Sequence, residues 1–296
     1  MRHLTAAPVL SLAALSVIWG YNWVAMKVGL SHAGPFTFAT LRFVVAGLCL
    51  LPVMMALDRS IVPTRDHWKP VLILGFMLAA NFAATLTALR LTGTGKTAVL
   101  VYTMPFWVLI FARVTLHERL NRLQVIAVLF ALAGLTWLIE PRSLHGGALG
   151  SLLAVASGIS WGASVVYVKH IQRRRHMSMM ALSVWQMLIG AAILAVAAGA
   201  VERGQSVDWT GEFIAALLFT AVLATGAGWL LFYYALRRMS AGMTGLGTLA
   251  TPVIGVLAAW VHLGERPTGT EAVGMCLIAV GLALLAWAGL RPATEL

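Results

Sequence analysis

The sequence predicts an all-α membrane protein of ten transmembrane helices, arranged as two inverted five-helix repeats. Three observations carry that prediction. Hydrophobic residues make up 60% of the 296-residue chain and charged residues only 10%, with a mean hydropathy of +0.88. Soluble domains sit nearer half apolar and a quarter charged, so lipid must serve as part of the solvent here. Apolar runs of membrane-crossing length follow one another with short polar breaks between them. The chain also states much of its pattern twice, with most corresponding residues 147 positions apart.

Spans are predicted near 8–30, 36–57, 68–89, 97–115, 122–139, 147–168, 179–200, 212–236, 241–263 and 270–290, which leaves no room for a soluble domain. The first run has no small-residue cleavage site and continues into Trp19-Gly20-Tyr21-Asn22-Trp23, so it reads as a retained span. Fourteen Lys and Arg lie in one set of alternate loops and six in the other, with Arg42 inside a span. The richer set is expected on the cytoplasmic side, which places both termini there. A net charge of +11 would suggest nucleic acid in a soluble chain. Here the basic residues lie between apolar runs, and no nucleic-acid partner is expected. Cys49 and Cys276 fall within apolar runs and are expected to be buried free thiols, with no disulfide or metal framework.

Two proline-bearing stretches anchor the repeat. TAVLVYTMPFWVLIFARVTLHERL holds Pro105 and, 13 residues on, Glu118; GMTGLGTLATPVIGVLAAWVHLGERP holds Pro252 and, 13 residues on, Glu265. A proline inside a membrane helix frees the carbonyl four residues back, here those of Val101 and Thr248, which must find another partner. Trp19-Gly20 with Lys27 reappears as Trp161-Gly162 with Lys169, Ala88-Leu89-Arg90 as Ala235-Leu236-Arg237, and Gly134 as Gly281. The halves, 1–140 and 141–296, hold five spans each. An odd number sends the second half into the membrane from the opposite side, and inverted halves can open to either face in turn.

WGYNWVAMKVGL, then FATLRF, then the two P-x12-ER stretches, in this order over essentially the whole chain, resemble the EamA-type branch of the drug/metabolite transporter superfamily. The resemblance implies ten helices around a central cavity lined by spans one, three, four, six, eight and nine, and export of small metabolites. Within that branch the chain is most similar to bacterial exporters of aromatic and neutral amino acids, working by alternating access in the inner membrane. An efflux carrier for cationic drugs of the same fold is the alternative. No cofactor is expected; the partners are a small-molecule substrate and the lipid bilayer, with the oligomeric state open.

Trp19, Asn22, Trp23 and Met26 share one helical face. An amide flanked by indoles suits an amphipathic solute, and helix packing explains the same pattern. Trp161, Ser164 and Tyr167 pose the same pair of readings. Asn81 and Thr85, one turn apart deep in span three, favour the cavity, since an unpaired amide in hydrocarbon is costly. Trp229 and Tyr233 line the cavity or face lipid. Tyr102, Thr103 and Trp107 bracket Pro105, while Thr248 and Thr251 bracket Pro252; their hydroxyls line the cavity or satisfy the freed carbonyls. Pro105 and Pro252 read as paired bends. Glu118 and Glu265 read as gate latches, pairing with the adjacent Arg or a neighbouring loop. Lys27, Lys96 and Lys169 are expected to snorkel to the interface. Arg42 is read as structural, because the resemblance places its helix outside the cavity wall.

None of the ten acidic residues falls in the middle of a span. Pumps that exchange protons for cationic drugs need a carboxylate at depth, so a zwitterionic or neutral substrate is favoured. The sequence has no HExxH signature and no pair of embedded carboxylates, and catalysis finds little support.

Overall fold

A computed structural model describes residues 6–57, 62–63, 65–115, 121–139, 147–174, 178–228, 231 and 241–290. Glu118, Trp229, Tyr233 and the side chain of Thr248 lie outside the described residues. Among the described residues the chain is helical, with no strand. In lipid a backbone must satisfy its own polar groups, and the helix does so within one segment. The helices are α1 Ala6–His32, α2 Pro35–Leu57, α3 Arg65–Leu91, α4 Thr94–Val101, α5 Met104–Thr115, α6 Arg122–Ile139, α7 Gly147–Arg174 and α8 Met179–Val201. Then come α9 Gly211–Leu218, which runs into a π-helical segment Phe219–Ala227, α10 Ala241–Leu263 and α11 Gly269–Leu290. Each of the ten predicted spans therefore carries helix, with α4 and α5 together forming the fourth. Five stretches are long and apolar enough to cross a membrane, and shorter apolar helices fill four of the other spans.

Large apolar side chains are spread over the outer surface. Leu10, Phe76, Val196 and Val261 are each more than 60% exposed, and together with the apolar faces of the long helices they suit a hydrocarbon surround. Cys49 and Cys276 are free thiols as expected, but they lie on this outer surface and are not buried in protein. An apolar surround makes either position acceptable to a thiol, so composition could not choose between them.

Helix starts follow from local chemistry. Asn121 Oδ1 accepts from the Gln124 amide while Gln124 Oε1 accepts from the Asn121 amide, a reciprocal cap on α6. The same device recurs 147 residues later on α11, where Thr268 and Glu271 cap one another. Ser178 and Thr210 cap α8 and α9 with their hydroxyls.

The principal packing runs between the halves: α1 on α10, α2 on α8, α3 on α7, and α6 on α11. Glycines set the approaches of α1 to α10 and of α7 to α5, and in matched fashion. A Cβ on Gly20 would lie 2.5 Å from Ile254 Cγ2 and 3.2 Å from the Thr251 carbonyl. A Cβ on Gly162 would lie 2.9 Å from Trp107 Cβ and 3.2 Å from the Met104 carbonyl. Each Trp-Gly glycine thus packs on the residues just before and two after the proline of the other half. Along the α6–α11 seam, Gly134 meets Gly274 and Ile278, while Gly281 meets Ala127 and Ala131. The chain numbers rise on one helix as they fall on the other, so these two helices run antiparallel.

The two proline regions differ in backbone. The fourth span is interrupted at Tyr102–Thr103, and α5 restarts with Pro105 in its first turn, where no amide donor is needed. Thr103 Oγ1 donates to the Leu100 carbonyl at 2.6 Å and holds the turn. Pro252, by contrast, sits inside an uninterrupted α10. Among the described residues the fourth span is thus broken just before its proline, whereas the helix continues through Pro252.

Candidate functional site

Aromatic side chains from both halves meet in the core. The Tyr102 ring sits edge-on to Trp23 at 6.2 Å and to Trp161 at 5.9 Å, so α1, the α4–α5 break and α7 converge there. The break brings these residues inward, because ending α4 at Val101 leaves Tyr102 and Thr103 buried. Trp107 Nε1 donates to Thr103 Oγ1 at 3.2 Å, and Tyr102 faces Thr251 of α10. Asn22, next to Trp23 on α1, is 9% exposed, and its Oδ1 is buried with no hydrogen-bond partner. A buried carboxamide oxygen left unpaired is costly, and such groups mark places where another donor arrives.

Asn81 and Thr85 are already engaged. Asn81 Nδ2 donates to the Ser157 carbonyl at 2.8 Å and its hydroxyl at 2.9 Å, and the Thr85 and Ser157 hydroxyls bond one another. These bonds tie α3 to α7, the packing alternative to cavity lining. Ser157→Ala is expected to cost about 1–2 kcal/mol by stranding the amide and a hydroxyl, seen as a lower melting point in detergent. An unchanged melting point would refute the tie.

Trp19 is also committed. Its Nε1 donates to the Ala224 carbonyl at 2.8 Å, within the π-helical segment. Thr225 Oγ1 bonds the Thr220 carbonyl at 2.8 Å, so two polar groups loosened by the wider helix find side-chain partners. Ser164 bonds its own helix at the Trp161 carbonyl. Tyr167 belongs to a separate apolar cluster with Val71, Leu74 and Ile171, apart from Trp161. The single face read for α7 is therefore divided between two environments.

One end of the bundle is laced with polar ties. Both Glu265 oxygens accept from Thr94, one from its amide and one from its hydroxyl at 2.9 Å, capping α4. The latch expected of Glu265 thus meets a helix N-terminus, which favours a carboxylate. Its neighbour Arg266 lies over the Trp260 ring instead. Lys96 pairs with Glu271 at 3.3 Å, and Lys27 donates to the Leu89 and Thr92 carbonyls at 2.7 and 3.3 Å. Snorkelling is corrected for both lysines: the carbonyl-rich end of α3 and a carboxylate on α11 give closer partners than the interface. Glu202, 6% exposed, accepts from the Phe36 and Thr37 amides at 2.8 and 2.9 Å and from the Thr37 hydroxyl at 2.6 Å. His32 adds contacts to Asp208 at 3.1 Å and Glu212 at 3.6 Å. A cavity of about 190 Å³ opens at this end between Lys96, Val256, Glu265 and Glu271. Glu202, Ser157 and Thr225 were not singled out by sequence. A lone Ser or Thr in an apolar helix carries no pattern, although Glu202 at the end of a span was a legible signal.

Buried polar and aromatic groups inside an apolar outer surface make this an integral membrane helix bundle. The sequence model of the EamA-like transporter family matches twice, at residues 7–139 and 148–287, and the chain belongs to that family. It is 27% identical to the Bacillus subtilis protein named uncharacterized transporter YoaV, over 93% of this chain and 94% of that one. It is 30% identical to a Salmonella typhimurium protein named probable amino-acid metabolite efflux pump, over 90% of each chain. The Escherichia coli protein of the same name is 29% identical over the same shares. A solved crystal structure shares the fold with a TM-score of 0.68 at 19% identity, covering 96% of this chain and 98% of that one. The protein is thus a multi-pass transporter and not an enzyme.

Proposed function

We propose that the protein exports neutral amino acids, aromatic ones included, from the cytoplasm by alternating access of two inverted repeats, 1–140 and 141–296. The observation that carries this reading is the unpartnered oxygen of Asn22, the residue that precedes Trp23 of the Trp23–Tyr102–Trp161 cluster on α1. It offers an acceptor for an ammonium on the same turn of α1 that supplies an aromatic wall for a flat side chain. The matched glycine contacts, the twin caps and the antiparallel α6–α11 seam support the inverted repeat. The efflux names of two relatives support the substrate class. With the Arg-rich loops cytoplasmic, the tied end faces outward, so this conformation is closed on the outside.

Growth decides between the substrate classes. Cells expressing the protein are expected to tolerate toxic amino-acid analogues and to gain no tolerance of cationic dyes; the reverse pattern would sink the proposal. In vesicles, counterflow of phenylalanine is expected without a pH gradient. Accumulation that requires one would remove the gradient-independent part of the reading. Pro105→Ala restores an amide donor to Val101 and heals the break. It is expected to slow transport roughly tenfold, about 1.4 kcal/mol on the barrier, with substrate affinity held. Lost affinity at an unchanged rate would refute the hinge.

A further inference from the structure

Arg42 lies within α2 yet is 5% exposed. Its Nε and Nη2 both donate to Thr225 Oγ1, at 3.2 and 3.1 Å, and its Nη1 to Met26 Sδ at 3.0 Å. The guanidinium lies over the Phe82 ring at 4.9 Å and near the Phe43 ring at 5.8 Å. A guanidinium has five N–H donors. Here three of them reach one hydroxyl and one thioether, the latter a weak acceptor. The ion pairs among the described residues do not include Arg42. A permanent cation so deep in an apolar bundle, with only these contacts, is expensive unless an anion joins it.

Asn22 is the complement, a buried acceptor that lacks a donor. It lies one turn before Met26 on α1, about 6 Å along the axis, and Met26 is the residue the guanidinium touches. One turn further back, Trp19 holds Ala224, the neighbour of Thr225. Asn22 is therefore framed on its helix face by two residues that engage the π-helical segment or the arginine it holds.

We infer that Arg42 and Asn22 form a head-group subsite for a zwitterionic amino acid. The guanidinium takes the α-carboxylate and the Asn22 oxygen accepts from the α-ammonium. Thr225, presented by the π-helical segment, holds the guanidinium in place. This assigns Arg42 a specificity role where the sequence favoured a structural one, and it rests on the amino-acid reading above.

The test is competition binding to the purified full-length chain in detergent, with radiolabelled L-phenylalanine as probe. The competitors are L-phenylalanine, its amide, which lacks the carboxylate, and 3-phenylpropionate, which lacks the ammonium. On the unaltered protein each analogue is expected to compete at least about tenfold more weakly than phenylalanine, since each loses one charge-assisted contact. Arg42→Gln is expected to erase the difference between phenylalanine and its amide while keeping the penalty on phenylpropionate. Asn22→Leu is expected to do the opposite, and Arg42→Lys to recover part of the carboxylate preference. An amide that competes as well as phenylalanine overturns the subsite and leaves amino-acid binding standing. No binding of phenylalanine overturns both. Should Arg42→Gln not fold, Thr225→Val serves instead and is expected to narrow the same ratio; an unchanged ratio counts against the assignment.

Discussion

Glu202→Ala is expected to lower the stability of the protein by about 3–5 kcal/mol, the largest loss from any one truncation described here. The carboxylate is 6% exposed and accepts three hydrogen bonds, two of them from amides in the first turn of α2. Those amides have no partner within their own helix. Removing the side chain strands them against apolar protein and withdraws a negative charge from the positive end of a helix. Glu202→Gln keeps the shape but halves the acceptor capacity, and about half the loss is expected. Thermal melts of purified protein read both. A Glu202→Ala shift no greater than that of Arg203→Ala, an exposed neighbour, would refute the clasp.

Gly162→Leu and Gly20→Leu are expected to abolish transport and to destabilise by at least about 1–3 kcal/mol each. In both cases the first carbon added falls on atoms that cannot swing aside: Trp107 Cβ and the Met104 carbonyl, or Ile254 Cβ and the Thr251 carbonyl. Because the two sites occupy matching places, the two variants should fail together. Transport that survives one substitution and is lost with the other would show that the halves do not contribute equally.

The architecture was legible in the sequence for simple reasons. Apolar runs of fixed length leave little choice in lipid, and residues such as Gly134 and Gly281 repeat because they make the same contact twice. The proline regions show where identity misleads. Pro105 and Pro252 correspond, but Thr103, whose hydroxyl holds the break, corresponds to Ala250, which has none to offer. The caps on α6 and α11 follow a pattern that is visible in the sequence, Asn121-x-x-Gln124 and Thr268-x-x-Glu271.

Of the candidate site, the aromatic members Trp23, Tyr102 and Trp161 do come together. The polar members divided according to partners on other helices, which spacing along one helix does not encode. Asn81 found Ser157, and Asn22 found nothing. Lys27 and Lys96 looked like interface residues because sequence records nearness to a helix end but not the carbonyls waiting there.

The π-helical segment has a consequence for how this chain tolerates change. A helix with i→i+5 bonds carries about one residue more per turn than an α-helix. Deleting a single residue between Phe219 and Ala227 therefore need not break the span; it can tighten it to ordinary pitch. The flanking turns would then keep their facing, because the wide turn gives up its extra residue, while residues inside the segment would shift against their partners. Thr225 would turn away from the guanidinium it holds, and Ala224 from the Trp19 indole. A length change of one residue, invisible to hydropathy, is thus enough to move the partners of Arg42 and Trp19 while leaving the helix in place.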